Sequence, residues 1–148
     1  MAKAQGSTEY LVILAVVLIV ALVVIALLGF FPGVGGSARE TQSASYWSGA
    51  QPLSIDNFKI SNVTVTLRVS NRMSEKVLLN ETYFTNINIY TGNTSFQAGE
   101  TKTINGTLSS SCGAVGDGFE YDVKFNYTEA GIVGKLQIGD KPLVGKCS

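Results

Sequence analysis

The sequence predicts an α+β protein, in which a long N-terminal hydrophobic helix precedes an all-β sandwich head domain. An uncharged apolar run covers residues 10–31, the periodicity of apolar residues changes from helical to two-residue after Leu53, and turn signals then recur every ~8–12 residues. The chain has 148 residues in total. The part that follows the apolar run is therefore long enough for one small core and too short for two.

The apolar run is long enough to span a membrane. Its 22 residues would extend about 33 Å as an α-helix, against a hydrocarbon core of about 30 Å. A secretory signal peptide has a shorter apolar region of about 7–15 residues before a small-residue cleavage site, and Phe30-Phe31-Pro32 is no such site. The segment is therefore expected to stay in the mature protein. Because it is apolar on every face, it should be buried in lipid or among other helices.

Glycines and one proline crowd into the stretch GFFPGVGGS that follows the run. Pro32 lacks a backbone donor and disfavours helix at the residue before it. We predict a break near 32–36 and a resumed helix over 37–48, with Ser37 as its cap and Gly49 just after its end. The alternative is that the membrane helix simply ends here.

Alternation of apolar and polar residues predicts antiparallel strands in the remainder of the chain. The inward-facing set is Val63, Val65, Leu67 and Val69 in NVTVTLRVS, and Phe119, Tyr121, Val123, Phe125 and Tyr127 in FEYDVKFNY. YFTNINIY indicates a further strand, and KLQIGDKPLVGKC indicates two that are joined at 139–142. Asn105-Gly106 is predicted to form a two-residue hairpin turn. In all, about seven strands favour a sandwich.

Composition excludes several classes of function. Lysines and arginines balance acids, 11 against 11, which argues against a nucleic-acid partner and against polybasic adhesion to anionic lipid. The chain has no histidine and only 2 cysteines, so histidine-based catalysis and a four-cysteine zinc site are excluded. No phosphate-binding loop, nucleophile elbow or dinucleotide-binding motif is present. We therefore expect no enzymatic activity, no cofactor, and no catalytic or metal site.

Two features predict that the head lies outside the cell. Cys112 and Cys147, behind a membrane anchor, are most simply one disulfide, which would contribute about 3–4 kcal/mol in the chain-entropy model. The alternative is two buried free thiols. Five N-x-Ser/Thr sequons are candidate N-glycosylation sites: Asn62, Asn80, Asn93, Asn105 and Asn126. The alternative for these asparagines is a polar surface without sugar.

Glu9 is an unexpected residue at the start of the apolar run. A carboxylate in the bilayer is unfavourable by roughly 2.5–3.5 kcal/mol at mid-depth, and by less near the headgroups. If the chain were cut after Ala4, Gln5 would become its first residue and Glu9 its fifth. The stretch KAQGSTEYLVIL then resembles the N-terminus of archaeal type IV pilins, in which a class III signal peptide precedes a mature chain that opens with Gln and has Glu at position five. Lys3 and Ala4 resemble the basic and small residues before that cut.

The resemblance implies a function as well as a fold. A leader over 1–4 would be removed by a prepilin peptidase, a helical segment over 5–52 would anchor the precursor in the cytoplasmic membrane, and a head over 53–148 would form an immunoglobulin-like sandwich. A membrane assembly platform with its ATPase would then stack identical subunits into an extracellular adhesion filament, with the helices inside and the heads outside. The amine of Gln5 would pair with Glu9 of a neighbouring subunit and help to fix the register.

Two other interpretations stay open. An archaellin, the subunit of a motility filament, has the same layout, but archaellins usually lack the acid at the fifth mature position. A solitary membrane-anchored β domain that binds a ligand or partner would keep its leader, and its Glu9 would be an incidental interfacial charge. No aromatic patch or metal motif marks a receptor site, so the sequence does not define what a filament would adhere to.

Overall fold

The computed structural model describes the backbone of residues 2–29 and 32–148, and the side chains of residues 6–27 and 36–148. Within these ranges two helices precede nine strands. Every pairing between strands is antiparallel. The predicted α+β class, with a long hydrophobic helix at the N-terminus and antiparallel sheets after it, is therefore confirmed.

The two helices are α1 (Ala2–Gly29) and α2 (Pro32–Gly49). The sequence predicted a break near 32–36, whereas α2 includes these residues. Proline is well suited to the first position of a helix, where no backbone N–H is needed. The predicted break therefore does not fall at 32–36, and residues 30 and 31 lie outside the described residues.

The chain divides into two compact units, residues 1–37 and 38–148. The boundary falls within α2, so the second unit consists of the later part of that helix together with all the described strands. We call residues 38–148 the head. The predicted head started at residue 53, and the structure adds the end of α2 to it.

The head contains three small sheets. Their strands are β1 (Leu53–Ser61), β2 (Thr64–Asn71), β3 (Val77–Phe84), β4 (Ile87–Phe96), β5 (Thr101–Thr107), β6 (Gly118–Tyr121), β7 (Val123–Glu129), β8 (Ile132–Ile138) and β9 (Leu143–Lys146). One sheet has the order β1-β2-β5, another has the order β4-β3-β7-β8, and β6 pairs with β9. Since β8 is bonded on one side to β7 only, it forms an edge of the four-stranded sheet.

All three sheets and α2 contribute to one hydrophobic core. On β2, Val65, Leu67 and Val69 are buried, as the two-residue period predicts, because alternate side chains of a strand point to opposite faces. The largest fully buried side chains include Trp47, Phe84, Phe96 and Phe125. The antiparallel sheets of the head therefore share one core, as a single small domain requires.

The segment YFTNINIY is not one strand, as the sequence predicted, but the turn of a hairpin. Thr85 and Asn86 connect β3 to β4 and have φ angles of 47° and 66°. Two consecutive residues with positive φ are typical of the type I′ hairpin turn, which is usually marked by Asn-Gly or Asp-Gly. The prediction was wrong because a β-branched threonine stands where a turn residue was expected.

Asn105-Gly106 was predicted to be a hairpin turn and instead lies within β5, where the two residues pair with Thr66 and Val65 of β2. A Cβ atom added to Gly106 would lie 2.7 Å from the carbonyl oxygen of Ile89. The glycine is therefore required by the close approach of β4 and not by a turn.

The segment FEYDVKFNY was predicted to be one strand, and it divides at Asp122 into β6 and β7, which belong to different sheets. The Thr85 backbone N–H donates to the Asp122 carbonyl (2.8 Å), and the Asp122 N–H donates to the Thr85 hydroxyl (3.2 Å). These bonds to the β3–β4 turn replace sheet pairing at that point. The predicted inward set is otherwise correct, with Tyr121 half-buried.

Candidate functional site

The N-terminal helix is the first candidate site. Among the described residues, α1 is the one helix that is long and apolar enough to cross a membrane, over the 22 residues Gly6–Leu27. Every residue of this stretch is exposed, including Glu9 at its beginning. Ala4 and Gln5 lie in the backbone of α1, but their side chains are outside the described residues. The cleavage between them and the assembly role of Glu9 stay predictions.

A face of α2 holds this helix in the head, and we call its residues Arg39, Ser43, Tyr46 and Trp47 the head anchor. Positions separated by three, four and seven residues lie on one side of a helix, so these side chains all reach the C-terminal part of the chain. The Ser43 hydroxyl accepts a hydrogen bond from the Val144 N–H at 3.0 Å. The anchor therefore contacts β9, the last strand.

Trp47 is the central residue of the head anchor. Its side chain is fully buried, and its ring packs edge-on against Phe125 with the ring centroids 6.2 Å apart. Its indole N–H donates to the carbonyl of Lys141 at 3.1 Å. A Cβ atom added to Gly139 would lie 2.3 Å from the Trp47 ring, so the connection between β8 and β9 is shaped around the indole.

Two polar contacts complete the head anchor. The Tyr46 hydroxyl accepts a hydrogen bond from the Asp140 N–H at 2.9 Å. Arg39 forms an ion pair with Glu120 at 2.6 Å, and both side chains are about half exposed. An exposed ion pair of this kind contributes little to stability, about 0–1 kcal/mol, so the aromatic packing dominates.

Cys112 and Cys147 form a disulfide, which confirms the predicted pair. It joins the end of β9 to the loop before β6, with the two Cα atoms 6.1 Å apart. The Cys147 N–H donates to the Asp117 carbonyl, and the Gly116 N–H donates to the Cys147 carbonyl, each at 2.8 Å. The C-terminal strand is thus held by the helix on one side and by a cross-linked loop on the other.

A partly exposed polar network around Asp56 was not predicted. Its carboxylate accepts hydrogen bonds from the Ser54 and Ser70 hydroxyls and from the Arg72 guanidinium, which lies 2.9 Å away. Arg72 also donates to the backbone carbonyl of Ser48 at the end of α2, at 3.1 Å. The network therefore connects α2 with β1 and β2. No sequence pattern pointed to it, because its members come together only through strand pairing and a bulge in β1.

The Asp56 carboxyl group is more acidic than a free aspartate. Burial opposes its ionisation, but the hydrogen bonds from Ser70 and Ser54 and the charge of Arg72 outweigh that effect, and its pKa is lowered. On the sheet that carries β8, a hydrogen bond from Lys135 to Glu129 raises the pKa of the lysine. In both cases, the contacts that cause the pKa shift stabilise the charged form of the side chain within the folded head.

Three of the five sequon asparagines are exposed. Asn62 lies in the β1–β2 turn, Asn93 on β4 and Asn105 on β5. Their side-chain oxygens are in part engaged, since Asn93 accepts from Asn80 and Asn105 accepts from Thr66. The nitrogen that would carry a sugar is in no hydrogen bond described for these three side chains.

The other two sequon asparagines are partly buried, and their nitrogens are engaged. The Asn80 amide donates to Asn93 at 2.9 Å, and the Asn126 amide donates to Glu81 at 3.0 Å. A sugar on either nitrogen would displace these bonds. Glycosylation stays a prediction for all five residues, and the geometry favours Asn62, Asn93 and Asn105 as acceptors.

No family model matches this chain, and the comparison with curated proteins finds no match either. What the chain does show is an exposed apolar helix at the N-terminus, followed by a disulfide-bonded domain of antiparallel sheets. This order of elements agrees with a pilin-like architecture. The apolar helix and the disulfide indicate a protein that is exported or associated with a membrane.

Proposed function

We propose that this chain is the structural subunit of an archaeal type IV pilus, an adhesion filament that polymerises through α1 and exposes the β head on its surface. The observation that carries the proposal is the exposure of α1: 22 consecutive residues from Gly6 to Leu27 have no cover within the chain. The head, by contrast, buries its own core. The head therefore covers its own apolar side chains, whereas α1 requires lipid or another protein to cover its side chains.

An apolar helix without a polar face is suited to two environments. Before assembly it is covered by the lipid of the cytoplasmic membrane, which requires about 20 apolar residues. In a filament it is covered by the α1 helices of neighbouring subunits. Because α1 has no polar face, every side of it can be covered by lipid before assembly and by other helices afterwards. The proposed role is therefore structural, and it requires no catalytic group.

Glu9 gives the filament a means of fixing its register. In this mechanism a prepilin peptidase cuts between Ala4 and Gln5, and an assembly platform with its ATPase withdraws the helix from the membrane. The new amine of Gln5 pairs with Glu9 of a neighbouring subunit, which neutralises both charges within an apolar core. A single buried polar pair can specify register even where it adds little net stability.

The head anchor supports a load-transmitting role for α2. The buried Trp47 and its hydrogen bond to Lys141 tie the helix to the connection before β9. The disulfide then ties the end of β9 to the loop before β6. A pull on α2 is thus passed to the sheet that β6 and β9 form, as a subunit on the outside of a filament requires.

Microscopy and mass spectrometry of surface filaments test this function. Filaments sheared from cells should contain this chain as their subunit, with Gln5 as the first residue. Recovery of the chain only from membranes, with its N-terminus uncut, would instead support a solitary anchored domain. Loss of swimming, with surface attachment unchanged, after deletion of the gene would support an archaellin.

A further inference from the structure

The outward face of the sheet formed by β1, β2 and β5 carries two neighbouring cations, Lys59 and Arg68. Strand pairing places Lys59 opposite Thr66, and Arg68 follows Thr66 by two residues on β2. Because Leu67 between them is buried in the core, Thr66 and Arg68 share the outward face. Lys59 and Arg68 are therefore diagonal neighbours, with Cβ atoms about 7–8 Å apart. Both residues are exposed.

These two cations lack the acidic partners that other cations of the head have. Ion pairs join Arg39 to Glu120, Arg72 to Asp56, Lys102 to Glu100 and Lys135 to Glu129. Within residues 38–148, no ion pair is described for Lys59 or Arg68. Asp56 is the one acid on β1, β2 and β5, and its carboxylate is already bonded to Ser54, Ser70 and Arg72.

The two cations line a shallow groove of about 200 Å³, which we call the cationic groove. Its other lining residues are Asn57, Phe58, Thr66 and Thr103. The Asn57 side-chain oxygen accepts a hydrogen bond from the Phe58 N–H at 2.8 Å, which leaves the amide nitrogen outside that bond. The Thr66 hydroxyl donates to the Asn105 side-chain oxygen at 3.2 Å. The groove thus combines two positive charges with polar groups and contains no acid.

This combination fits a sugar unit that carries a carboxylate. Arginine binds a carboxylate through two parallel hydrogen bonds, and lysine adds a second positive charge on a long stem. The Asn57 amide and the hydroxyls of Thr66 and Thr103 can hydrogen-bond to the hydroxyl groups of a sugar. We propose that the cationic groove binds the carboxylates of an acidic polysaccharide and is the adhesive surface of the filament. The adhesive role rests on the function proposed above, whereas the binding itself does not.

The groove is poorly suited to the other common anionic polymers. Proteins that hold duplex DNA by its backbone commonly make 6–10 phosphate contacts, and attachment to anionic lipid uses clusters of 4–8 lysines and arginines. Binding of single strands adds aromatic side chains on which bases stack. The one aromatic residue of the groove, Phe58, is half-buried and packs against Phe119. An acidic polysaccharide, with fewer charges and more hydroxyl groups, matches what the groove offers.

A filament would compensate for the small size of the groove by repeating it. Pockets that enclose drug-sized ligands measure about 300–1,000 Å³, so this groove can hold about one sugar unit and should bind it weakly. A filament presents one groove on each subunit, and many weak contacts to one polymer add up to strong attachment. None of the lining residues takes part in the contacts described for the head anchor, so binding leaves α2 in place.

The sequon residue Asn105 is a second source of the same ligand chemistry. It lies opposite Thr66, which in turn lies opposite Lys59. A carboxylate on a sugar chain attached to Asn105 would reach the groove of its own subunit. Asn105→Gln removes the attachment and keeps an amide, so this variant should bind added polysaccharide at least as tightly as the wild type. Loss of binding in Asn105→Gln would place the binding site on the attached sugar and overturn the proposal.

Binding of the full-length chain in detergent to short polygalacturonate, measured by calorimetry, tests the groove directly. Lys59→Gln with Arg68→Gln should weaken binding at least about tenfold. The matched control is Lys76→Gln with Lys146→Gln, which removes the same charge from two exposed residues without a described ion pair and should change binding less than about twofold. Arg68→Lys keeps the charge and removes the fork, so it should give an intermediate loss.

Several outcomes would overturn the proposal. Equal losses from the two double variants would show that only overall charge matters, and equal binding of neutral dextran would show that the carboxylates do not. Tighter binding to duplex DNA than to polygalacturonate would identify a different partner. Sheared filaments should hold a polygalacturonate-coated surface more firmly than the single subunit does. If cells form no filaments and the subunit still binds through the groove, the proposed function is wrong and the binding site stands.

Discussion

The apolar helix α1 and the head use the same residue types in opposite ways. In the head, Val65, Leu67 and Val69 are at most 1% exposed, because the two-residue period of a strand aims them into one core. In α1, the leucines, valines and isoleucines from Leu11 to Leu27 are between 41% and 65% exposed. The difference shows that an apolar residue within a strand period finds its partner inside the chain, whereas an unbroken apolar run requires one from outside.

This contrast separates two kinds of mutational effect. Changes in α1 should alter assembly and leave the unfolding of the head unchanged. Changes at the head anchor, the disulfide or the Asp56 network should alter the stability of the head first. A variant that alters both filament assembly and the stability of the head to a similar extent would show that α1 and the head are coupled.

The largest effect is expected from Glu9→Gln, which removes the charge with almost no change of shape. In the proposed filament, the incoming amine would be left buried and unpaired, at roughly 3–5 kcal/mol for each subunit added. Cells should therefore contain normal amounts of the subunit but few or no filaments, as counted by negative-stain microscopy. Glu9→Asp keeps the charge and is the matched control.

Processing of the leader must be measured in the same cells, because an uncut N-terminus would also prevent assembly. Mass spectrometry of the subunit decides this point. If the leader is removed and Glu9→Gln cells carry wild-type numbers of filaments, the pairing of Glu9 with the new amine is wrong. If the unfolding midpoint of the head shifts as well, the separation of the two regions is wrong.

Trp47→Ala should have the largest effect on the head itself. The indole is fully buried and packs against Phe125, so its removal leaves a cavity and should lower the free energy of unfolding by about 3–5 kcal/mol. Urea unfolding of the full chain in detergent, followed by near-ultraviolet circular dichroism, measures this change. Gln42→Ala, at an exposed residue of α2, is the control and should change little. Similar losses from both variants would contradict the anchor role of Trp47.

The fold class was predictable because its signals are averages over many residues. The length of the apolar run and the period of the strands do not depend on any single contact. The errors arose where one tertiary contact decides the structure. Thr85 adopts a turn conformation that its side chain does not favour, and Gly106 is a glycine because of the nearby Ile89 carbonyl. Neither the turn at Thr85 nor the strand that approaches Gly106 can be recognised from the local sequence.

The candidate sites also differ in whether the sequence alone could reveal them. Glu9 was noticed because it is the one acid beside an apolar run, and the cysteine pair because the chain contains only two. The head anchor was not predicted, since Tyr46 and Trp47 stand among serines and threonines without a clear apolar period.

Loss of the disulfide should have an intermediate effect. The bond closes a loop with a sequence separation of 35 residues, and Cys112→Ser with Cys147→Ser should lower the free energy of unfolding by about 2–4 kcal/mol. Hydrogen exchange should show faster exchange in β9 and in the loop before β6, with no change in α1. Alkylation of the wild-type chain without reductant should find no free thiol. Two alkylated cysteines would contradict the bond, and faster exchange in α1 would contradict the separation of the regions.

The smallest effect is expected from Asp56→Asn, and its pH dependence identifies the cause. At pH 7 the change removes the charge that accepts hydrogen bonds from Ser70, Ser54 and Arg72. It should lower the free energy of unfolding by about 1–3 kcal/mol. Fluorescence of Trp47, the single tryptophan of the chain, reports the transition during urea unfolding in detergent. Asp122→Asn is the matched control, because the bonds described for Asp122 use its backbone.

The sign of the pH effect follows from the lowered pKa of Asp56. A carboxyl group that is more acidic in the folded head than in the unfolded chain contributes its full stabilisation above the unfolded pKa, about 3.9. That contribution is lost as the pH falls through the lower, folded pKa. The difference in unfolding free energy between wild type and Asp56→Asn should therefore be largest near neutral pH and should shrink in acid. A difference that stays constant with pH would show that the asparagine disturbs packing and that ionisation of Asp56 is not what holds β1, β2 and the end of α2 together.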